Sequence, residues 1–208
     1  MKRLLVYCEG PTEETFTKEI LAHYFSSMDV YVTPIGAGGV SKYSILKKDL
    51  IRICKSDKTA VVTTMLDYYG LPGDTPGKAS ITGDIYHKAQ HIEAAIAEDM
   101  AGLDNLYVNL TVHEFEGLLF SETSAFADVA SSKQIIELQK INSRFETPEH
   151  INDSRDTIPS RRIKKIVPTY NKLTDGIKVA GNIGIDGISA KCIHFRQWIA
   201  TLTTWAKA

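Results

Sequence analysis

Residues 3–14, Arg3-Leu4-Leu5-Val6-Tyr7-Cys8-Glu9-Gly10-Pro11-Thr12-Glu13-Glu14, decide the fold class. A short, continuous apolar run is the pattern of a strand buried on both faces, as parallel sheets require. It stops at Glu9-Gly10, and a helix is predicted to follow at once. Gly10 frees the backbone to turn, Pro11 suits the first helical position, and Glu13 and Glu14 put negative charge at the positive end of the helix dipole. Phe16, Ile20, Leu21 and Tyr24 then recur on one face.

The same rhythm repeats outward from this unit. Residues 29–35 (DVYVTPI) read as a second strand, 36–39 as a glycine turn, and 43–54 as a helix with Ile45, Leu46, Leu50 and Ile53 inward. Residues 60–66 (AVVTTML) form a third strand ending at Asp67, and 70–77, broken by Pro72, Gly73, Pro76 and Gly77, form a loop that either lies over bound substrate or merely connects. Helical spacing returns over 85–100, and 106–112 (LYVNLTV) is a fourth strand. Alternating strands and helices build an α/β fold, a mostly parallel sheet with flanking helices. After about residue 121 the strand signal fades, and 131–144, 160–172 and 189–205 read as helices of a C-terminal helical region. No Ser/Gly/Pro linker intervenes, so the expectation is one domain over 1–208, with an α/β core over 1–120 and a helical region over 121–208.

Composition limits the partners. The 208 residues are 43% hydrophobic and 24% charged, which suits an ordinary globular core and excludes a disordered chain. The formal charge of -1 gives no global field for a polyanion or an anionic membrane, so any nucleic-acid contact must be local. Cys8, Cys54 and Cys192 are odd in number and lack CxxC spacing, which excludes a disulfide framework and a four-thiolate zinc site and points to a reducing cytoplasm. No apolar run approaches the roughly 18 residues of a membrane span, and Met1-Lys2-Arg3 leads straight into the first strand instead of a cleavable leader, so no membrane partner is expected.

Ligands of open parallel sheets bind beyond the carboxyl ends of the strands. Strand one ends in Glu9, strand three in Asp67, and strand four runs into Glu114 and Glu116. An acid after a strand, taken singly, often only starts a helix; it is the coincidence of these positions that points to a site. Carboxylates gathered in a cleft repel unless protons or a divalent cation neutralise them, and an oxygen-rich set favours magnesium or manganese. Glu13, already explained by the helix dipole, is given a supporting role as a ligand.

The run Arg161-Arg162-Ile163-Lys164-Lys165 puts four positive charges in five residues of a nearly neutral chain and is the candidate nucleic-acid contact, a solvated helix face being the plain alternative. One of its cations, Lys164 foremost, would balance charge on a transferring phosphate. Tyr68 and Tyr69 either stack on bases or cover the strand end. Gly36-Ala37-Gly38-Gly39-Val40-Ser41-Lys42 lacks the Gly-Lys-Ser/Thr ending of a phosphate loop, His87 and His91 lack an HExxH glutamate, and Cys192 with His194 lacks two further ligands.

The stretches Glu9-Gly10-Pro11-Thr12-Glu13, Thr63-Thr64-Met65-Leu66-Asp67-Tyr68-Tyr69-Gly70-Leu71-Pro72, His113-Glu114-Phe115-Glu116-Gly117-Leu118-Leu119-Phe120 and Pro159-Ser160-Arg161-Arg162 together resemble an uncharacterised bacterial family with a Toprim-like fold, domain of unknown function 4276. That family is related to the Toprim domains of overcoming-lysogenization-defect nucleases. The resemblance implies a magnesium-dependent nuclease in which Glu9 is general acid/base or outer ligand and Asp67 leads the metal-gripping motif. Tyr69 stands where the second aspartate of that motif belongs, and Glu114 and Glu116 are implied to fill its place. It further implies a nucleic-acid partner, DNA ahead of RNA, and an ABC- or SMC-type ATPase partner in antiphage defence. Two other readings stay open: a non-enzymatic regulatory or binding subunit with a degenerate metal site, and a phosphatase or nucleotidyl transferase using the same acids.

Overall fold

The computed structural model describes residues 1–79, 81–152 and 157–208. It comprises two compact units, Met1–Val112 with Thr203–Ala208, and His113–Leu202.

The first unit is an α/β layer. Strands β1 (Lys2–Cys8), β2 (Val30–Gly36), β3 (Val61–Asp67), β4 (Leu106–Tyr107) and β5 (Leu110–Thr111) pair in parallel in the order β2-β1-β3-β4, with β5 also on β3. From β1 the chain crosses to β2 on one side and then returns past β1 to β3 on the other. The strand order therefore reverses between β1 and β3, the place where sheets of this kind hold ligands.

Alternation along β1 sorts its residues between two faces. Tyr7 and Leu5 join Leu46, Leu50, Ile53, Val62, Leu66, Ile92 and Ile96 in one core beneath α3 (Tyr43–Ser56) and α4 (Ile85–Asp99). Leu4, Val6 and Cys8 face the other way, and the Cys8 thiol meets the Thr17 hydroxyl at 3.4 Å. Thr17 belongs to a continuous helical stretch made of α1 (Pro11–Phe16), a π-helical segment Thr17–Leu21, and α2 (Ala22–Ser26). The wider π turn moves the inward face on by one residue. Phe16, Leu21 and Phe25 are fully buried as a result, and Tyr24, expected inward, is only half-buried.

In α3 the buried row is Tyr43, Leu46, Leu50, Ile53 and Cys54, and Ile45 is turned out with 47% exposure. The expected fourth strand keeps one register throughout, Val62 opposite Leu106 and Leu66 opposite Leu110, but its ladder is interrupted in the middle. There the Thr64 hydroxyl donates to the Asn109 carbonyl at 2.6 Å and accepts the Asn109 N–H at 2.9 Å, taking the place of strand-to-strand bonds. Thr63 likewise donates to the Tyr107 carbonyl at 2.7 Å.

The second unit is helical: α5 (Phe115–Leu118), α6 (Ser132–Asn142), α7 (Pro159–Ile166), α8 (Asp175–Lys191) and α9 (Ile193–Lys207), with short 3-10 turns between. The helix expected over 160–172 stops at Ile166 because Pro168 disfavours helical backbone in Val167 before it. Helix α8 was not legible: its glycines depress helix propensity, and it kinks at Gly184, which adopts φ 73°. Extended Cys192 then separates α8 from α9, so the helix expected over 189–205 is two helices. The start of α9 is held by Glu149, 2% exposed, whose carboxylate accepts the N–H groups of His194 and Phe195 at 3.0 Å each. Its end is counted with the first unit, where the Lys2 ammonium donates to the Trp205 and Ala206 carbonyls at 2.9 Å.

Replacing the buried Thr64 hydroxyl by a methyl leaves the Asn109 N–H without its acceptor. Thr64→Val should therefore lower unfolding stability by about 1–3 kcal/mol in urea titrations. An unchanged midpoint would mean that the backbone ladder alone holds the fourth strand.

Candidate functional site

Strands β1 and β3 run side by side to their carboxyl ends, with Cys8 opposite Met65, and the Glu9 N–H continues the ladder to the Met65 carbonyl at 3.1 Å. This fixes the backbone of Glu9 beside the end of β3. Its side chain then crosses over, and Oε2 accepts the backbone N–H of Asp67 at 2.8 Å. Of the acids singled out in the sequence, Glu9 and Asp67 are thus brought together, on neighbouring strands at the point of reversal.

The loop after β3 is shaped to this contact. The Gly70 N–H returns to the Asp67 carbonyl at 3.0 Å, which lays Gly70 against Glu9 so closely that an added Cβ would stand 2.2 Å from Glu9 Oε1. Any side chain at position 70 would push the carboxylate out of place. The loop continues through buried Leu71, turns with Thr75 N–H to the Pro72 carbonyl at 3.2 Å and Lys78 N–H to the Thr75 carbonyl at 3.1 Å, and brings the Lys78 ammonium back onto the Leu71 carbonyl. Burial holds the Lys78 pKa below its ordinary value, and the Glu9 carboxylate pulls it the other way. Tyr68 packs on the core, whereas Tyr69 is 55% exposed, its ring edge-on to Tyr68 at 5.5 Å.

Glu13 is buried, and its Oε2 accepts the Gly10 N–H at 3.0 Å, an N-terminal bond of α1. Glu14 lies over the end of β2, where Gly36 has no Cβ to collide with its carboxylate.

Glu114 and Glu116 belong to the second unit. His113, just before them, adopts the left-handed φ of 65°, a costly conformation for a residue with a side chain, and such strain collects at functional sites. Glu114 accepts both the backbone N–H of Ser160, in the first turn of α7, and the Ser160 hydroxyl, the latter at 3.1 Å. It is an anionic partner for the start of that helix. Glu116 is fully buried, with the Lys172 ammonium 3.1 Å from Oε2. Burial pushes its carboxyl up to about 7; Lys172 opposes the rise and Glu114 adds to it. The buried Tyr170 hydroxyl is pushed well above its usual range by burial and by Glu116, Asp175 and Glu114.

In α7, Ile163 is buried while Arg161, Lys164 and Lys165 are exposed. Arg162 lies over the Phe145 ring at 5.3 Å and donates to the Thr157 carbonyl, and Lys164 donates to the Tyr170 carbonyl at 3.4 Å. His87 and His91 are both exposed, with rings stacked 6.4 Å apart. All three cysteines are buried free thiols, and burial pushes Cys8 up to about 12, far from a reactive thiolate.

Magnesium takes oxygen donors and keeps several waters, so one or two carboxylates suffice to seat it. Asp67 and Glu9 are donors of that kind. Among the described residues, no group of three or more His, Cys, Asp or Glu side chains is placed to hold a metal. Two carboxylates at the strand ends are too few for an all-protein cage and would suit only an ion that keeps most of its waters. Among the described residues, no helix is long and apolar enough to cross a membrane.

Residues 8–203 match the sequence profile of the domain of unknown function DUF4276. The chain belongs to this family. No curated protein matches it. Among solved structures, the C-terminal region of the OLD protein of Xanthomonas campestris pv. campestris is similar, at 13% identity over 98% of each chain with a TM-score of 0.44.

Sequence reasoning missed several residues that shape this DUF4276 chain: Gly70 as the seat of Glu9, Lys78 returning to the same place, Lys172 paired with Glu116, and Glu149 under α9. A glycine and a lysine bounding a broken loop were the signal available for the first two. The two buried partnerships join residues far apart in sequence and leave no local pattern.

The raised carboxyl of Glu116 sets a pH dependence. The folded chain binds that proton more tightly than the unfolded chain, so its contribution is complete below about pH 4.5 and is lost as pH rises through about 7. Urea titrations at pH 4.5 and pH 8 should show a Glu116→Gln variant missing roughly 3 kcal/mol of the wild-type decline between those points. Identical declines in both proteins would show that Glu116 does not take up the proton.

Proposed function

We propose that this chain is a magnesium- or manganese-dependent nuclease that hydrolyses nucleic-acid phosphodiester bonds, DNA ahead of RNA. The observation that carries the reading is the Glu9 carboxylate held by the Asp67 N–H at 2.8 Å, which sets two oxygen-donor acids at the reversal point of a parallel sheet. Asp67 would hold the ion, with Glu9 as outer ligand and proton acceptor. When bound, the ion supplies Lewis-acid stabilisation of charge on the phosphate oxygens. The oxygen of a water attacks phosphorus in line as Glu9 takes one of its protons, the bond to the leaving oxygen breaks, that oxygen takes a proton from solvent water, and Glu9 returns its proton to the hydroxide so formed, leaving a phosphomonoester and a hydroxyl.

The exposed Arg161, Lys164 and Lys165 of α7 would contact the phosphate backbone. A net charge of -1 gives weak affinity for nucleic acid, which agrees with a partner ATPase of the ABC or SMC type supplying the rest, in the antiphage setting implied by the resemblance.

A second reading, a regulatory or binding subunit without turnover, is favoured by Tyr69 at the place of a ligand and by the engagement of Glu114 with Ser160 and of Glu116 with Lys172. Calorimetry with manganese and a plasmid-cleavage assay separate the two. The nuclease reading predicts binding that Asp67→Asn weakens at least tenfold, and nicking that both Asp67→Asn and Glu9→Gln abolish. Absence of manganese heat from the wild type would favour the subunit reading, and nucleotide turnover with plasmid left intact would favour a small phosphorylated substrate.

A further inference from the structure

The strand-end site is surrounded by negative charge: Glu9 and Asp67 at its centre, with Glu13 and Glu14 in the adjoining helix. A phosphodiester is itself an anion, and charge accumulates on its oxygens as the bond to water forms, so a preorganised cation aimed at that place stabilises both approach and reaction. Lys78 is the one basic residue over 67–79.

The loop is built to return it there. Gly70 is pinned against Glu9 Oε1, Leu71 is anchored in the core, and two successive turns reverse the chain. Gly77 adopts φ 78°, and a Cβ added there would stand 2.9 Å from the His91 ring on α4, so the turn has no room for a side chain. The lysine that follows then donates to the Leu71 carbonyl, one residue from the glycine that touches Glu9. An ammonium has three donors. Leu71 uses one, and the remainder suit two oxygens of a phosphate.

We propose that Lys78 binds the substrate's phosphate beside Glu9, with loop 70–78 as its rigid mount. This rests on the phosphodiesterase reading of the same site. The plain alternative is that Lys78 only ties the loop closed through Leu71.

The test uses the full chain and a 5′-phosphorylated single-stranded oligonucleotide in calcium, read by fluorescence anisotropy at several salt concentrations. Lys78→Gln should weaken binding about 10- to 100-fold, as expected for loss of a charged hydrogen bond, and lower the salt-dependence slope by about 0.7, one phosphate contact on a single strand. Lys78→Arg should restore both affinity and slope, and manganese affinity should be the same in all three proteins. On the wild type, the oligonucleotide should protect Lys78 from acetylation by acetic anhydride, a readout that survives if the glutamine variant fails to fold. Wild-type affinity and slope in a folded Lys78→Gln protein, or acetylation of Lys78 unaffected by bound oligonucleotide, would overturn the assignment and leave the metal reading standing. Failure of the wild type to bind manganese would instead remove the phosphodiesterase reading itself.

Discussion

The hydrogen bond from the Asp67 N–H to the Glu9 carboxylate ties the end of β3 to the residue that ends β1, and most of the first unit can be understood as serving it. The two strands must be parallel and in register for the bond to form, which Leu4 opposite Val61 through Cys8 opposite Met65 ensures. Parallel strands need crossovers, and these are supplied by the α1–π–α2 stretch on one face and α3 and α4 on the other. The chain must then reverse after Asp67 without a side chain in the way, which is why a glycine at 70 matters more here than its flexibility alone would suggest.

The second unit treats its acids differently. Glu114 is spent on the start of α7, Glu116 is buried beside Lys172, and Glu149 holds the start of α9. Glu116 and Glu149 sit where burial would be prohibitive for a lone carboxylate, Glu114 is half-buried, and each has a donor from a helix end or an ammonium. Burial raises the Glu116 carboxyl to about 7, and the Lys172 ammonium opposes that rise.

Much of the first unit was legible because its signals are local. The apolar runs of β1 and β3, the Gly10-Pro11 helix start and the acids at both strand ends can be read from neighbours in sequence, and they locate Glu9 and Asp67 correctly at one edge. What could not be read depends on contacts between distant residues. Thr64 interrupting the pairing of its strand, the π turn that exchanges Tyr24 for Phe25, and the pairing of Lys172 with Glu116 each require the fold to exist first. Helix α8 was hidden for a different reason: its glycines lower local propensity, while Ile177, Val179, Ala180, Ile185 and Ile188 stabilise it through burial.

The proposed cation seat of Glu9 and Asp67 lies at the reversal point of the sheet. Diffraction from crystals soaked in manganese chloride, recorded near the manganese absorption edge, tests it directly. An anomalous peak is expected within coordination distance of an Asp67 carboxylate oxygen and near Glu9. A peak elsewhere with none at these two acids, or no peak in a well-diffracting soak, would contradict it.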